Sequence, residues 1–538
     1  MNTKINKKIT LLLVIIFSVI AFLRLFSISK FPSSLYWEEA ALGYDAYSIL
    51  KTGKDFHGKS FPIVAFESFG DYKPSGYFYF TVLSEKFLGL TPLAIRLPSV
   101  IAGALISIFA YLISLEIFSS HKKKRSIGLV SATLIGFSPW AFQFSRAAFE
   151  ANLATAFSLV ATWFLLKSQK NKSNLFGSVI FFSLSLYTYH SSRIFIPFLL
   201  LGYLLSHLKS VIANWKHWIM AGIFGLILIF PILTSLNKPE VKHRFQETSA
   251  FTSLDPIIKI NQQRAEHNNS IPSRITYHRY WYYTNTVIKN ISTNFNLNYL
   301  FISGDENKRH STGESGIFYP LDAILLIFGL LALLKLKSRK SKLLIIWWLA
   351  ALVPASLTKT NPHALRTLVA LPAPQIIAAF GAINLSTHLK KYKRTLITIF
   401  ILLYSLFIFR HFYNYFNAYT KIHSPAWQYG YQELMEIIKE NQNDYDQIYI
   451  TNNLGRPSIY HFFYNQVDPT LVQNEELDAS KDQGERLSFQ NIYFQLPQQV
   501  PPNSLIVTTK MINSDKDQEI LYLIKDLLDQ PIFYVYQQ

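Results

Sequence analysis

Ser119-Ser120-His121-Lys122-Lys123-Lys124-Arg125 lies between two apolar runs, residues 94–118 and 126–142. Runs of about 17–25 apolar residues match the thickness of a bilayer core. Four consecutive cations without an acid, in so short a connection, mark the cytoplasmic side of a membrane. This stretch predicts a helical protein that crosses a membrane repeatedly.

The pattern holds along the chain. Eleven apolar runs are read as spans at 10–29, 94–118, 126–142, 150–167, 174–190, 192–208, 217–235, 319–335, 343–358, 365–385 and 395–415. With the N-terminus inside, the inner segments are 1–9, 119–125, 168–173, 209–216, 336–342 and 386–394. They carry Lys4, Lys7 and Lys8, then Lys122 to Arg125, Lys170 and Lys172, Lys209 and Lys216. Lys337, Arg339, Lys340 and Lys342 follow, and finally Lys390, Lys391, Lys393 and Arg394. None of these six segments contains Asp or Glu, which fixes the expected orientation. The first run is long and lacks a small-residue cleavage site, so it is read as an anchor, not a removable leader.

Composition agrees. Half of the 538 residues are hydrophobic and only 16% are charged, against about 25% in soluble domains. The net charge of +19 does not indicate nucleic-acid binding. Residues 424–538 hold 16 acidic and 7 basic side chains, and much of the basic excess sits in short loops between apolar runs. The chain has no cysteine, which excludes disulfides, thiolate metal sites and a cysteine nucleophile.

Three large pieces are left outside: the loop 30–93, the loop 236–318 and the tail 416–538. Residues 74–90 are apolar and aromatic but include Glu85 and Lys86; they read as an interfacial or re-entrant helix. The tail reads as a small α/β domain. Helices are expected at 426–441 and 515–528, and strands at 447–451, 504–508 and 531–535. The expected architecture is a mainly α membrane module, 1–415, followed by a soluble extracytoplasmic α/β domain, 416–538.

Ionisable residues gather near the outer ends of the spans. Glu38 and Glu39 follow the first, with Asp71 and Lys73 in the same loop. Arg96 opens the second, Arg146 and Glu150 follow the third, and His190 and Arg193 follow the fifth. Arg309 and His310 precede the eighth, and His363 and Arg366 precede the tenth. Charges at membrane depth are costly and point to function. Lys and Arg suit a phosphate, and a carboxylate suits proton removal from a hydroxyl. Blander roles compete: Arg146, Arg193 and Arg366 can snorkel to the interface, Glu150 can pair with Arg146, and Glu38-Glu39 can be a solvated pair. His190, His310 and His363 show no HxH or HxxxH spacing, so no metal site is expected from them.

These motifs resemble a family. Trp37-Glu38-Glu39-Ala40, Asp71-Tyr72-Lys73-Pro74 and Arg96-Leu97-Pro98-Ser99 look like the first outer loop of GT-C glycosyltransferases. The resemblance is to the protein-mannosyltransferase-like group, glycosyltransferase family 39, with aminoarabinose transferases as relatives. Ser145-Arg146, Tyr187 to His190 with Arg193, Gly304-Asp305 through Ser311, and Pro362 to Arg366 extend it over about 10–415. It implies an inverting enzyme that moves one sugar from a polyprenyl-phosphate donor to a hydroxyl of a protein, lipid or cell-wall glycan at the outer face of the cytoplasmic membrane. No tightly bound cofactor or divalent metal is implied. The implied base is Glu38 or Glu39, where the family has Asp at the first position. Lys73, Arg96, Arg193 and Arg366 are the implied phosphate ligands. Asp71, Arg146, His190, Arg309, His310 and His363 are expected to contact substrate. A transporter or flippase of lipid-linked glycan is the alternative reading; it predicts polar groups at mid-membrane and discontinuous helices.

The orientation predicts that protease added to intact cells or spheroplasts removes a tag fused to the C-terminus. A tag cleaved only after the membrane is opened contradicts the topology.

Overall fold

The computed structural model describes residues 7–236, 238, 248–336, 338–388, 393–474, 486–511 and 520–538. Lys4, Lys337, Lys390 and Lys391 of the basic segments, and 239–247 of the long loop, lie outside this set. Helices stand at all eleven apolar runs: Lys7–Leu25, Pro92–Ile117, Lys124–Gly136, Glu150–Lys167, Asn174–Thr188, His190–Ser206, Trp215–Ser235, Pro320–Lys335, Arg339–Ser356, Ala373–His388 and Lys393–Asn414. Among the described residues, four helical stretches are long and apolar enough to cross a bilayer: Pro92–Ile117, Trp215–Ser235, Leu368–Thr387 and Ile397–Ile422. The run 126–142 is not one helix. It breaks at Phe137-Ser138, and Pro139 opens the short helix Pro139–Phe144. Proline suits a first helical position because its missing N–H is not needed there.

The chain forms two compact units. The first comprises Met1–Ala21, Ala102–Phe144 and Glu150–Ile408; the second comprises Phe22–Ile101, Ser145–Phe149 and Phe409–Gln538. The expected division at 415/416 therefore does not coincide with a boundary between compact units, because the tail groups with the loop 30–93.

The first unit is helical. Small polar residues let its helices approach: Ser158 and Ser185 hydroxyls meet at 2.9 Å between Glu150–Lys167 and Asn174–Thr188, and Ser185 also bonds the Ala154 carbonyl at 2.8 Å. Such small-residue contacts are the usual means of helix association in lipid, where no hydrophobic drive operates between helices.

The second unit carries both sheets. A hairpin pairs β1 (Ala65–Ser68) with β2 (Asp71–Pro74), Ser68 opposite Asp71. Its two-residue turn, Phe69-Gly70, has positive φ at both positions, 54° and 72°. That is the turn geometry whose twist matches paired strands. The helix expected in 74–90 is present at Gly76–Leu88. The tail strands are β3 (Gln447–Ile450), β4 (Ser488–Phe489), β5 (Ile492–Tyr493), β6 (Ser504–Thr508), β7 (Ile520–Lys525) and β8 (Pro531–Gln537). They form one mixed sheet in the order β4-β5-β3-β6-β8-β7, with β3 parallel to β5 and β6. The amphipathic helix Tyr431–Asn441 buries Tyr431, Leu434, Met435 and Ile438, the i, i+3, i+4, i+7 stripe of a core-facing helix.

One tail expectation is corrected. Residues 520–525 are strand β7, not part of a helix 515–528; 512–519 lie outside the described residues. Asp526 decides it. Its Oδ1 accepts the amides of Leu528 at 2.7 Å and Gln530 at 2.9 Å, and Asp529 sits at φ 60°. That side-chain-closed turn folds β7 back onto β8, and the apolar run Ile520 to Ile524 serves a strand as well as a helix.

The helix Trp37–Thr52 carries the acidic pair and is fixed by the tail. The Trp37 amide donates to Gln428 Oε1 at 3.2 Å, and the Tyr460 hydroxyl donates to the Leu35 carbonyl at 3.1 Å. The Tyr44 hydroxyl reaches the Val467 carbonyl at 3.0 Å. A Cβ on Gly43 would stand 2.5 Å from Ile95 Cδ1 and 2.9 Å from Phe463. Gly43→Ala should therefore overpack this helix by about 1–3 kcal/mol, seen as a lower Tm of the purified protein. An unchanged Tm contradicts the packing.

Candidate active site

Glu38 and Glu39 occupy the first turn of Trp37–Thr52, where carboxylates complement the positive helix end. Neighbours in sequence, they meet opposite environments. Glu39 is fully buried, and Arg96 holds it in a bidentate pair: Nε to Oε1 at 2.9 Å and Nη2 to Oε2 at 2.8 Å. The Ala148 amide adds a 2.8 Å bond to Oε1.

Arg96, equally buried, spends its other donors on the backbone. Nη1 bonds the carbonyls of Ile28 at 2.8 Å and Pro32 at 3.3 Å, and Nη2 bonds that of Ser34 at 2.6 Å. All five guanidinium N–H groups thus have partners inside the protein. Arg146 acts similarly. Its Nη1 bonds the carbonyls of Leu23 and Arg24 at 2.8 and 2.9 Å, and Nη2 bonds that of Phe31 at 2.6 Å. Its guanidinium packs on the rings of Tyr415 and Phe416.

Glu38 is the open member of the pair, with 30% of its side chain exposed. It forms an ion pair with Lys73, and Ser68 Oγ donates to its Oε2 at 3.4 Å. The β1–β2 hairpin supplies both residues, so its turn sets their approach. Asp71 begins β2, and its Oδ1 accepts the Tyr72 amide at 2.8 Å.

The remaining expected residues lie in the first unit. Arg193 Nε donates to the Leu186 carbonyl at 3.2 Å, and Nη1 lies 3.5 Å from His190 Nδ1. Its Nη2 is buried and makes no hydrogen bond among the described residues. Arg366 Nη1 donates to Thr358 Oγ1 at 2.7 Å. The Arg309 carbonyl accepts from Gln143 at 2.8 Å.

His310 and His363, distant in sequence, come together with Asp305. Asp305 Oδ2 lies 3.3 Å from His310 Nδ1 and accepts the Ala364 amide at 2.7 Å. The Asn307 amide bonds Oδ1 at 2.9 Å. Burial alone would raise the Asp305 carboxyl, but the His310 contact and the Ala364 amide hold it below the usual carboxylate range. Burial, then the Arg366 cation, pushes His363 down to about 3, so its ring is neutral near pH 7.

Asp305 stands in the Gly304-Asp305 motif with no role assigned from sequence. Its signal is an acid after a glycine, five residues ahead of His310. Gln428 and Ser68 had no sequence signal, since each acts across a long separation.

Residues 72–234 match the sequence model of the dolichyl-phosphate-mannose-protein mannosyltransferase family. No curated protein matches the chain. Among solved structures, ArnT from Cupriavidus metallidurans bound to undecaprenyl phosphate is similar, with a TM-score of 0.57 and 12% identity over 97% of each chain. Its apo form gives 0.57 at 11% identity and the same coverage. The Archaeoglobus fulgidus oligosaccharyltransferase in complex with zinc and sulfate gives 0.50 at 12%, covering 85% of this chain and 61% of that one.

Removing one partner of a buried ion pair strands the other charge, at about 3–5 kcal/mol. Glu39→Gln and Arg96→Met should each lower the Tm strongly, and the double variant Glu39→Met/Arg96→Met by less than their sum. Additive losses contradict the pairing. The chain thus has the GT-C fold seen in ArnT, and over residues 72–234 it carries the sequence signature of the dolichyl-phosphate-mannose-protein mannosyltransferases.

Proposed function

We propose that this protein is an inverting glycosyltransferase that moves a single sugar from a polyprenyl-phosphate donor to a hydroxyl acceptor at the outer face of the membrane. The observation that carries this reading is the half-open Glu38–Lys73 pair, set on a hairpin beside a helix whose other acid is locked. The fold and the family match over 72–234 support it.

Glu38 is the base in this proposal. Its carboxylate takes the acceptor proton as the acceptor oxygen attacks the anomeric carbon. The bond from that carbon to the phosphate oxygen breaks, and the electron pair leaves with the lipid phosphate. Attack opposite the leaving group inverts the anomeric carbon. Lys73 lets go of Glu38 and meets the charge growing on the phosphate. A cation whose interaction is stronger with the transition state than with the ground state accelerates the step.

Glu39 and Arg96 hold the loop instead of touching substrate. Their donors and acceptors are committed to each other and to the backbone, so Arg96 moves from phosphate ligand to positioning residue. Arg146 moves likewise from substrate contact to positioning. In the first unit, Arg193 is proposed to bind an anionic group of the donor because its buried Nη2 makes no hydrogen bond among the described residues. Arg366 remains a second proposed cation, and Asp71, His190 and Arg309 remain proposed substrate contacts.

The test supplies purified protein with labelled polyprenyl-phosphate sugars and an acceptor extract. Glu38→Gln and Lys73→Ala should each reduce transfer by about 100-fold or more while keeping the wild-type Tm. Full transfer by Glu38→Gln overturns the assignment.

A further inference from the structure

Asp305, His310 and His363 each offer one ligand atom, and the three atoms lie within 4.8 Å of one another. Two segments supply them: the turn following Gly304, and the stretch preceding the 3-10 helix Leu368–Ala370. Short-range spacing cannot reveal a set assembled this way.

Two details distinguish it from an ordinary Asp–His hydrogen bond. The first is length. A charge-assisted N–H···O bond closes to about 2.7–2.9 Å, whereas Asp305 Oδ2 and His310 Nδ1 stand 3.3 Å apart. Two ligands of a tetrahedral zinc ion, with bonds of about 2.0–2.1 Å, are separated by about 3.3–3.4 Å. The second is an orphan: His363 Nδ1 is buried and makes no hydrogen bond among the described residues, where buried polar atoms are normally satisfied. The His310 and His363 rings lie side by side, 5.0 Å between centroids and tilted by 39°.

The carboxylate is already oriented. Backbone amides of Asn307 and Ala364 fix its two oxygens, as the supporting shell of a metal site does. Ala364 is itself anchored, its carbonyl accepting from Trp140 Nε1 at 3.0 Å. Two imidazoles and one carboxylate suit zinc and its neighbours, while magnesium and calcium favour oxygen-rich shells.

We propose that Asp305, His310 and His363 form a binding site for a divalent transition-metal ion of the zinc class, with a coordination position left open. The ion ties the 304–311 turn to the 362–366 stretch. Its open position takes water or an anionic oxygen.

The experiment uses the full-length protein in detergent, stripped with chelator and dialysed against zinc sulfate or cobalt chloride. Mass-spectrometric metal analysis should find about one zinc per chain, reduced at least about tenfold in His310→Ala and His363→Ala and unchanged in His190→Ala. The cobalt form of the unaltered protein should show the intense visible bands of a tetrahedral site. Zinc should raise the Tm of the wild type alone. Wild-type protein that retains no zinc, or cobalt with only the weak spectrum of an octahedral aquo ion, overturns the proposal. So does zinc retained undiminished in the two ligand variants. The readout is independent of sugar transfer, so its outcome leaves the transfer reading to its own test.

Discussion

The pairing of Arg96 with Glu39 is the interaction on which the candidate active site depends. A guanidinium and a carboxylate taken wholly out of water are tolerable only if nearly every donor and acceptor finds a partner. Here Arg96 uses its carboxylate partner and three backbone carbonyls to do so. Those carbonyls belong to residues 28, 32 and 34, so one side chain gathers the segment that leads into Trp37–Thr52. The Ala148 amide on the same carboxylate draws in the 145–149 segment, and Arg146 binds the carbonyls of residues 23, 24 and 31. On this frame Glu39 is fully buried, while Glu38 keeps 30% of its side chain exposed.

This division of labour between adjacent acids has a simple geometric origin. Consecutive helix residues point about 100° apart. If one faces the interior of the unit, the next reaches its margin. Glu39 meets Arg96 inside, and Glu38 meets Lys73 at the edge. The tail reinforces the arrangement by capping the helix through Gln428 and bonding the Leu35 carbonyl through Tyr460. It is thereby part of the frame that holds the acidic pair.

Much of this was legible in the sequence, and the limits are physical. Apolar runs between basic loops located the helices because bilayer thickness sets a length. Charge clustering located Glu38, Glu39, Lys73 and Arg96 because ionised groups are costly near lipid. Burial was not legible: nothing in Trp37-Glu38-Glu39-Ala40 says which acid faces inward, and Arg96 reads equally well as a phosphate ligand or a buried brace. The β7 strand is not distinguishable from a helix in the sequence because Ile520 to Ile524 satisfies both periods, and the Asp526 turn that decides between them acts through side-chain bonds. The Asp305, His310 and His363 group escaped because its members converge only in three dimensions.

The most direct measurement separates the acid that does the chemistry from the pair that holds the loop. Transfer from a labelled polyprenyl-phosphate sugar and Tm would be measured together for Glu38→Gln and for Glu39→Met/Arg96→Met. Glu38→Gln is expected to lose about 100-fold or more of transfer at the wild-type Tm, while the double variant, which strands the backbone groups that Arg96 and Glu39 bond, loses Tm and transfer together. A fully active Glu38→Gln, or a double variant with wild-type Tm and full transfer, would contradict it.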